Sequence, residues 1–147
     1  MTSRLEETRA VAAWLRKADD DLEAAEILLR SGSEVHDIAC FHAQQCVEKC
    51  LKALLTFHRT AFPFVHDLGE LAALLPHSIK IPMTVEEAEN LSDYAVMVRY
   101  PGFGTGAGSE EARRAVIIAG RVRRAVGALI GKPATGRRNS RTGTRRR

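Results

Sequence analysis

The sequence predicts an all-α protein, an antiparallel up-and-down bundle of four to five helices. Three observations point there. Apolar residues recur at steps of three and four along several long stretches, no stretch alternates apolar and polar residues as a half-buried strand would, and the connectors are short and carry Gly, Pro and Ser. The 147 residues amount to one domain, enough to bury a single core.

The first helix is expected over residues 5–30, where Val11, Leu15, Ala18, Leu22, Ala25 and Leu29 form a one-sided stripe. Asp19, Asp20 and Asp21 fall between two stripe positions. Consecutive helical residues point about 100° apart, so these acids are expected to face water rather than to gather a metal. Ser31-Gly32-Ser33 then supplies a glycine past the helix end and a fresh N-cap.

The second helix, Asp37 to His58, organises the chain. Cys40, Ala43, Val47, Cys50 and Leu54 make one apolar line and Cys46, Leu51 and Leu55 a second, so neighbours must cover it from at least two sides. The strip that remains carries Gln45, Glu48, Lys49 and Lys52. A polar edge on an otherwise enclosed helix is the first place to look for function. All three cysteines lie on this helix without CxxC or Cys/His ligand spacing. Cys46 and Cys50, one turn apart and pointing the same way, are poorly placed for a disulfide, so the cysteines read as small core residues in a reducing compartment.

Arg59 to Val65 contains Pro63 and two phenylalanines, a loop expected to tuck its aromatics inward. His66-Asp67-Leu68 opens a short helix in which Asp67 and Glu70 form a capping box and Leu68, Leu71, Leu74 and Leu75 face the core. Thr84 with Glu87 is a second capping box. It starts a helix that turns Ala88, Leu91, Ala95 and Val98 inward and stops at Pro101. Gly102 to Gly108 holds four glycines. A phosphate cradle would need a strand before it, and Glu110 and Glu111 behind it would repel phosphate, so a mobile connector is the reading. The last helix, Ser109 to Ile130, buries Ala115, Ile118, Ala119, Val122, Val126 and Leu129 and shows Arg113, Arg114, Arg121 and Arg124 outside.

Charge divides the chain in two. Residues 1–131, the bundle, hold 15 Lys/Arg against 18 Asp/Glu, a net of −3, although the whole chain is +4. Residues 132–147 hold seven basic residues and no acid, with no apolar periodicity, and are expected to form a disordered, flexible tail. Such a tail either contacts RNA loosely through counterion release or simply keeps the protein in solution, and its spacing does not separate the two. No run approaches eighteen apolar residues, and Met1 to Arg9 carries acids, so a soluble, cytoplasmic protein without membrane contact is expected.

Four blocks together resemble the HEPN domain. They are Trp14-Leu15-Arg16-Lys17-Ala18 with Asp21-Leu22 and Ala25; Phe41-His42-Ala43-Gln44-Gln45 with Glu48-Lys49 and Leu51 to Leu55; His66-Asp67-Leu68; and Arg99-Tyr100-Pro101. They occur in the family's order over roughly residues 10–130. The resemblance implies a helical bundle that forms homodimers, often paired with a minimal nucleotidyltransferase in a two-component or toxin-antitoxin system. It also implies, in many members, a metal-independent ribonuclease with Arg, four to six residues, then His. This sequence departs from that pattern, because no histidine follows Arg99 within reach. Arg59 and His66 satisfy the spacing, but they lie on a proline-containing loop and read as coincidence.

The polar residues suggest a ligand site. Gln45, Lys49 and Lys52 share one face of the second helix, and Arg99 and Tyr100 end a helix that should lie beside it. Arg99 would take a phosphate bidentately and Tyr100 would stack on a base or donate its hydroxyl, with ATP a candidate ligand and no metal required. Against this, Lys49 would pair with Glu48 or Asp21, and Arg99 would cap its helix. His42 reads as a hydrogen-bonded core or dimer residue. The preferred function is a nucleotide-binding or accessory subunit beside a nucleotidyltransferase. The alternative is a ribonuclease toxin using His66 or His42.

Overall fold

In a computed structural model, which describes residues 3–101 and 106–131, the chain forms five helices: α1 (Arg4–Arg30), α2 (His36–Phe57), α3 (Leu68–Ala73), α4 (Val85–Met97) and α5 (Ser109–Ile130). Among the described residues there is no strand. The glycine-rich residues 102–105 and the basic residues 132–147 lie outside them, as do the connector and tail readings that rest on those residues.

Each helix begins and ends for a local reason. Ser3 and Glu6 close a capping box on α1, with Ser3 N–H donating to Glu6 Oε2 at 2.7 Å. Past its C-terminus Gly32 takes φ +72, the left-handed turn that a glycine permits. Helix α2 starts differently from expectation. Its N-cap is Val35, without a side-chain cap, and the Ser33 hydroxyl accepts instead from Val35 N–H at 3.4 Å. Asp67 caps α3 by accepting from Glu70 N–H, while Thr84 and Glu87 form the complete reciprocal box on α4. Helix α4 unwinds at Met97, two residues before Arg99. Pro101 holds the preceding residue away from helical geometry, and Arg99 N–H closes a tighter turn on Val96 C=O at 3.1 Å.

Helix α2 is the axis of the bundle and packs on each of the other four helices, most extensively on α1 and α5. Cys40, Ala43, Cys46, Val47, Cys50, Leu51, Leu54 and Leu55 are all fully enclosed. They meet Val11, Leu15 and Ala18 of α1 and Ala119, Val122 and Val126 of α5 in one core. Burial pushes the Cys40 thiol up to about 11, so it stays protonated beside Tyr94. The Cys46 thiol is raised as well, by its hydrogen bond with Cys50 and by burial. Cys40 and Cys46 are therefore inert, and all three cysteines are enclosed packing groups.

Several inward-facing assignments change. Asp21 is buried rather than solvated, as described below. Leu74 and Leu129 are exposed, and Ile130 takes the core position at the end of α5, a step of four beyond Val126 rather than three. Of the two loop phenylalanines only Phe62 turns in, edge-on to Trp14 with ring centroids 6.3 Å apart, whereas Phe64 is fully exposed.

Two outcomes follow. Leu54→Ala, at a fully enclosed site on the axial helix, should destabilise the fold by about 2–5 kcal/mol, read from urea unfolding. Glu87 is held below its ordinary value near 4.5, chiefly by the Thr84 backbone N–H and further by Arg121. A depressed carboxylate contributes stability above its unfolded pKa and loses it as pH falls through the folded one. Glu87→Gln should therefore flatten the acid side of the stability profile, and an unchanged profile would remove Glu87 from acid sensitivity.

Candidate functional site

Two carboxylates, each shared by a lysine and a histidine, build the polar edge of α2. Asp21 reaches across from α1. Its Oδ1 lies 3.0 Å from His42 Nδ1, and its Oδ2 accepts from Lys49 Nζ. Three turns along α2 is too far for one acid to serve both ends of the edge, and Glu48 serves the second. Glu48 Oε1 lies 2.7 Å from His66 Nδ1, and Oε2 accepts from Lys52 Nζ at 3.2 Å. Gln44 Nε2 adds a bond to Glu48 Oε1 at 3.2 Å and another to the His66 carbonyl at 3.0 Å. Gln45 Nε2 completes the row by donating to Gln44 Oε1 at 2.7 Å.

The five sequence-predicted ligand residues take different places on this edge. Lys52 is enclosed, with its side chain only 9% exposed. Its ammonium sits 5.5 Å from the Trp14 ring centroid and 5.8 Å from that of Phe62, so the charge is satisfied by Glu48 and two aromatic faces. Gln45 is half-buried and engaged with Gln44. Lys49 remains 21% exposed but is held by Asp21. Arg99 and Tyr100 are exposed in the turn after α4. The Arg99 guanidinium lies 5.9 Å from the Phe41 ring centroid, and among the described residues no carboxylate pairs with it.

These placements join Arg99 to Lys49. Arg99 lies over Phe41, the Phe41 ring meets His42 edge-on at 5.6 Å, and His42 and Lys49 share Asp21. Arg59 and His66, by contrast, are bound to two different acids. Arg59 Nε donates to Glu7 Oε2 at 2.9 Å from a left-handed backbone with φ +54, while His66 belongs to Glu48.

Sequence reasoning named Asp21 as a partner for Lys49, which it is, but expected it to face water, and it missed Gln44 and Phe41 as members of the edge. The signal was present for Asp21, which stands one step of three after Ala18 and one of four before Ala25, inside the buried stripe. Asp37 was also missed. It accepts from Ala107 N–H, and a Cβ at Gly106 would stand 3.2 Å from its carboxylate, so glycine permits that close approach. The bond carries the segment before α5 alongside the start of α2. Among the described residues no three of His, Cys, Asp and Glu converge to hold a metal ion. No helix among them is long and apolar enough to cross a membrane.

A family model of the HEPN domain matches residues 11–129. The chain belongs to the HEPN family. Its HEPN bundle superposes on the crystal structure of a Thermus thermophilus protein with a TM-score of 0.66 at 30% identity, covering 79% of this chain and 94% of that one. An archaeal HEPN homologue of known crystal structure gives a TM-score of 0.64 at 26% identity over 82% of this chain and 97% of its own. A Methanocaldococcus jannaschii protein whose name makes it a candidate toxin is 30% identical over 95 residues. That match spans 60% of this chain and 61% of the relative's own length. The residues of the Asp21 and Glu48 networks thus lie within the matched HEPN region.

Removing one member of a buried ion pair leaves the other uncompensated, so Glu48→Gln or Lys52→Met alone should cost about 3–5 kcal/mol. The double variant should cost less than the two together, with coupling above roughly 1 kcal/mol in a denaturation cycle. Additive losses would mean that the two charges are solvated independently.

Proposed function

We propose that this HEPN chain is the nucleotide-binding or accessory member of a toxin-antitoxin-type pair, acting as a homodimer beside a minimal nucleotidyltransferase. The observation that carries the reading is Arg99: an exposed guanidinium seated over an aromatic ring, with no acid partner among the described residues, at the end of an edge built from Phe41, His42 and Lys49. Similarity to a candidate toxin supports the system, and family membership supports the partner class.

Chemically, Arg99 offers a fork for two phosphate oxygens, with its guanidinium seated over the Phe41 ring. Tyr100 offers an aromatic face for a base. Lys49 adds charge next to the ring of His42 but shares it with Asp21, so Arg99 is the principal phosphate ligand. Lys52 and Gln45 serve as the frame that fixes α2 rather than as direct contacts.

One observation favours the ribonuclease reading instead. His42 and His66 are each held through Nδ1 by a carboxylate, which orients Nε2 as a proton donor or acceptor. The two readings part in one experiment, using ATP titration calorimetry and incubation with tRNA and mRNA. ATP binding that weakens about 10- to 100-fold in Arg99→Ala, as loss of a charge-assisted bidentate contact predicts, with intact RNA throughout, is the expected result. RNA cleavage abolished by His66→Ala or His42→Ala would replace this reading with the enzymatic one.

A further inference from the structure

Helices α4 and α5 both pack on α2 but scarcely on each other, which leaves a groove of about 680 Å³ between them. None of the residues of the Asp21 and Glu48 networks lines it. Its floor is apolar, formed by Leu91, Tyr94, Met97 and Ile118, and Ile117 stands half-exposed along one side. Its rim is acidic. Arg121 is bound to Glu87 by contacts of 3.2 and 3.3 Å, and Glu111 is engaged by the Tyr94 hydroxyl, so the four rim acids Glu86, Glu87, Asp93 and Glu111 outnumber the two bases Arg114 and Arg121. An apolar trough with a net negative rim suits arginine side chains, whose stems lie on apolar surface while the guanidinium reaches a carboxylate.

We infer that residues 132–147 of this same chain dock in the α4–α5 groove. The chemistry matches, since that segment holds seven basic residues and no acid. The reach matches as well. The groove runs along α5 from Arg121 to Glu111, and its Arg121 end lies nine residues before Ile130, about 14 Å at the helical rise. Six extended residues cover about 20 Å, enough length to bring Arg137 and Arg138 to the Glu86 end of the trough and to leave the remaining residues for its length. At the end of α5 Gly131 takes φ +77, a conformation that turns the chain off the helix axis. This docking does not depend on the nucleotide reading of the Arg99 edge.

The test is trypsin cleavage of the full chain at low salt, followed by mass spectrometry at Arg137, Arg138 and Arg141. In the wild type these bonds are expected to be cut roughly tenfold more slowly than in Glu86→Lys/Asp93→Lys, a cost of about 1.4 kcal/mol to open the docked state. Glu86→Gln/Asp93→Asn should fall between the two, and circular dichroism confirms that each variant stays helical. Equal rates in all three proteins would overturn the proposal. So would protection that disappears on dilution, which places the segment in a second copy, or protection that arises only when polyuridylate is added, which assigns it to nucleic acid.

Discussion

Two acids, Asp21 and Glu48, hold the polar side of a helix that is otherwise enclosed, and the arrangement of the rest follows from satisfying them. Taking an ionised group out of water costs several kcal/mol unless partners replace the lost hydration. Glu48 is only 3% exposed and finds three donors, Lys52, His66 and Gln44. Asp21 finds two, on a different helix from its own. Apolar contacts between α1 and α2 would tolerate a slide by one turn, whereas Asp21 fits only where His42 and Lys49 meet it. The second network does the same for the loop after α2. His66 sits on that loop, and its side chain and carbonyl are both tied to α2, so the path of the chain into α3 is fixed before α3 begins.

Most of the fold was legible because a stripe of apolar residues at helical spacing leaves few alternatives. Val11, Leu15, Ala18 and Ala25, or Ala115, Ile118, Val122 and Val126, face the core where their spacing puts them. Helix ends were less legible, since an end depends on which local bond wins. Ser33 bonds Val35 rather than capping α2, and α4 gives way two residues before the arginine expected to end it. Charged residues were the least legible. Spacing alone puts Asp21 in the buried stripe while its charge argues for the solvent side, and only its partners, His42 and Lys49 on the next helix, decide that it can be buried. Lys52 shows the converse. By helical geometry it belongs with Lys49, but Trp14 and Phe62, distant in sequence, close over it.

The early end of α4 gives Arg99 its character. Within the last helical turn an arginine is drawn to the unpaired carbonyls and to the negative end of the helix dipole. Two residues farther on, the guanidinium instead lies on Phe41 of α2, near the place where Asp37 anchors the start of α5 through Ala107. An aromatic face supports the guanidinium without neutralising it, which a carboxylate partner would do. Among the described residues the edge therefore leaves Arg99 without an acid partner at its end and commits Lys49 and Lys52 to internal acids.

The groove and the Arg99 edge are neighbours. Met97 closes α4 and lines the groove, and Arg99 follows it by two residues. The rim acid on α4 nearest to Arg99 in sequence is Asp93. Exposed charges interact over roughly 8 Å at physiological salt, so any coupling between the two surfaces is strongest at the Met97 end of the groove. An anion on Arg99 would deepen the negative potential felt by a cationic segment in the groove, and that segment would in turn favour the anion. By the reciprocity of linked binding each would strengthen the other. A basic segment docked in the groove would then stand beside the anion site as an ally, whereas one lying across Arg99 would repel it.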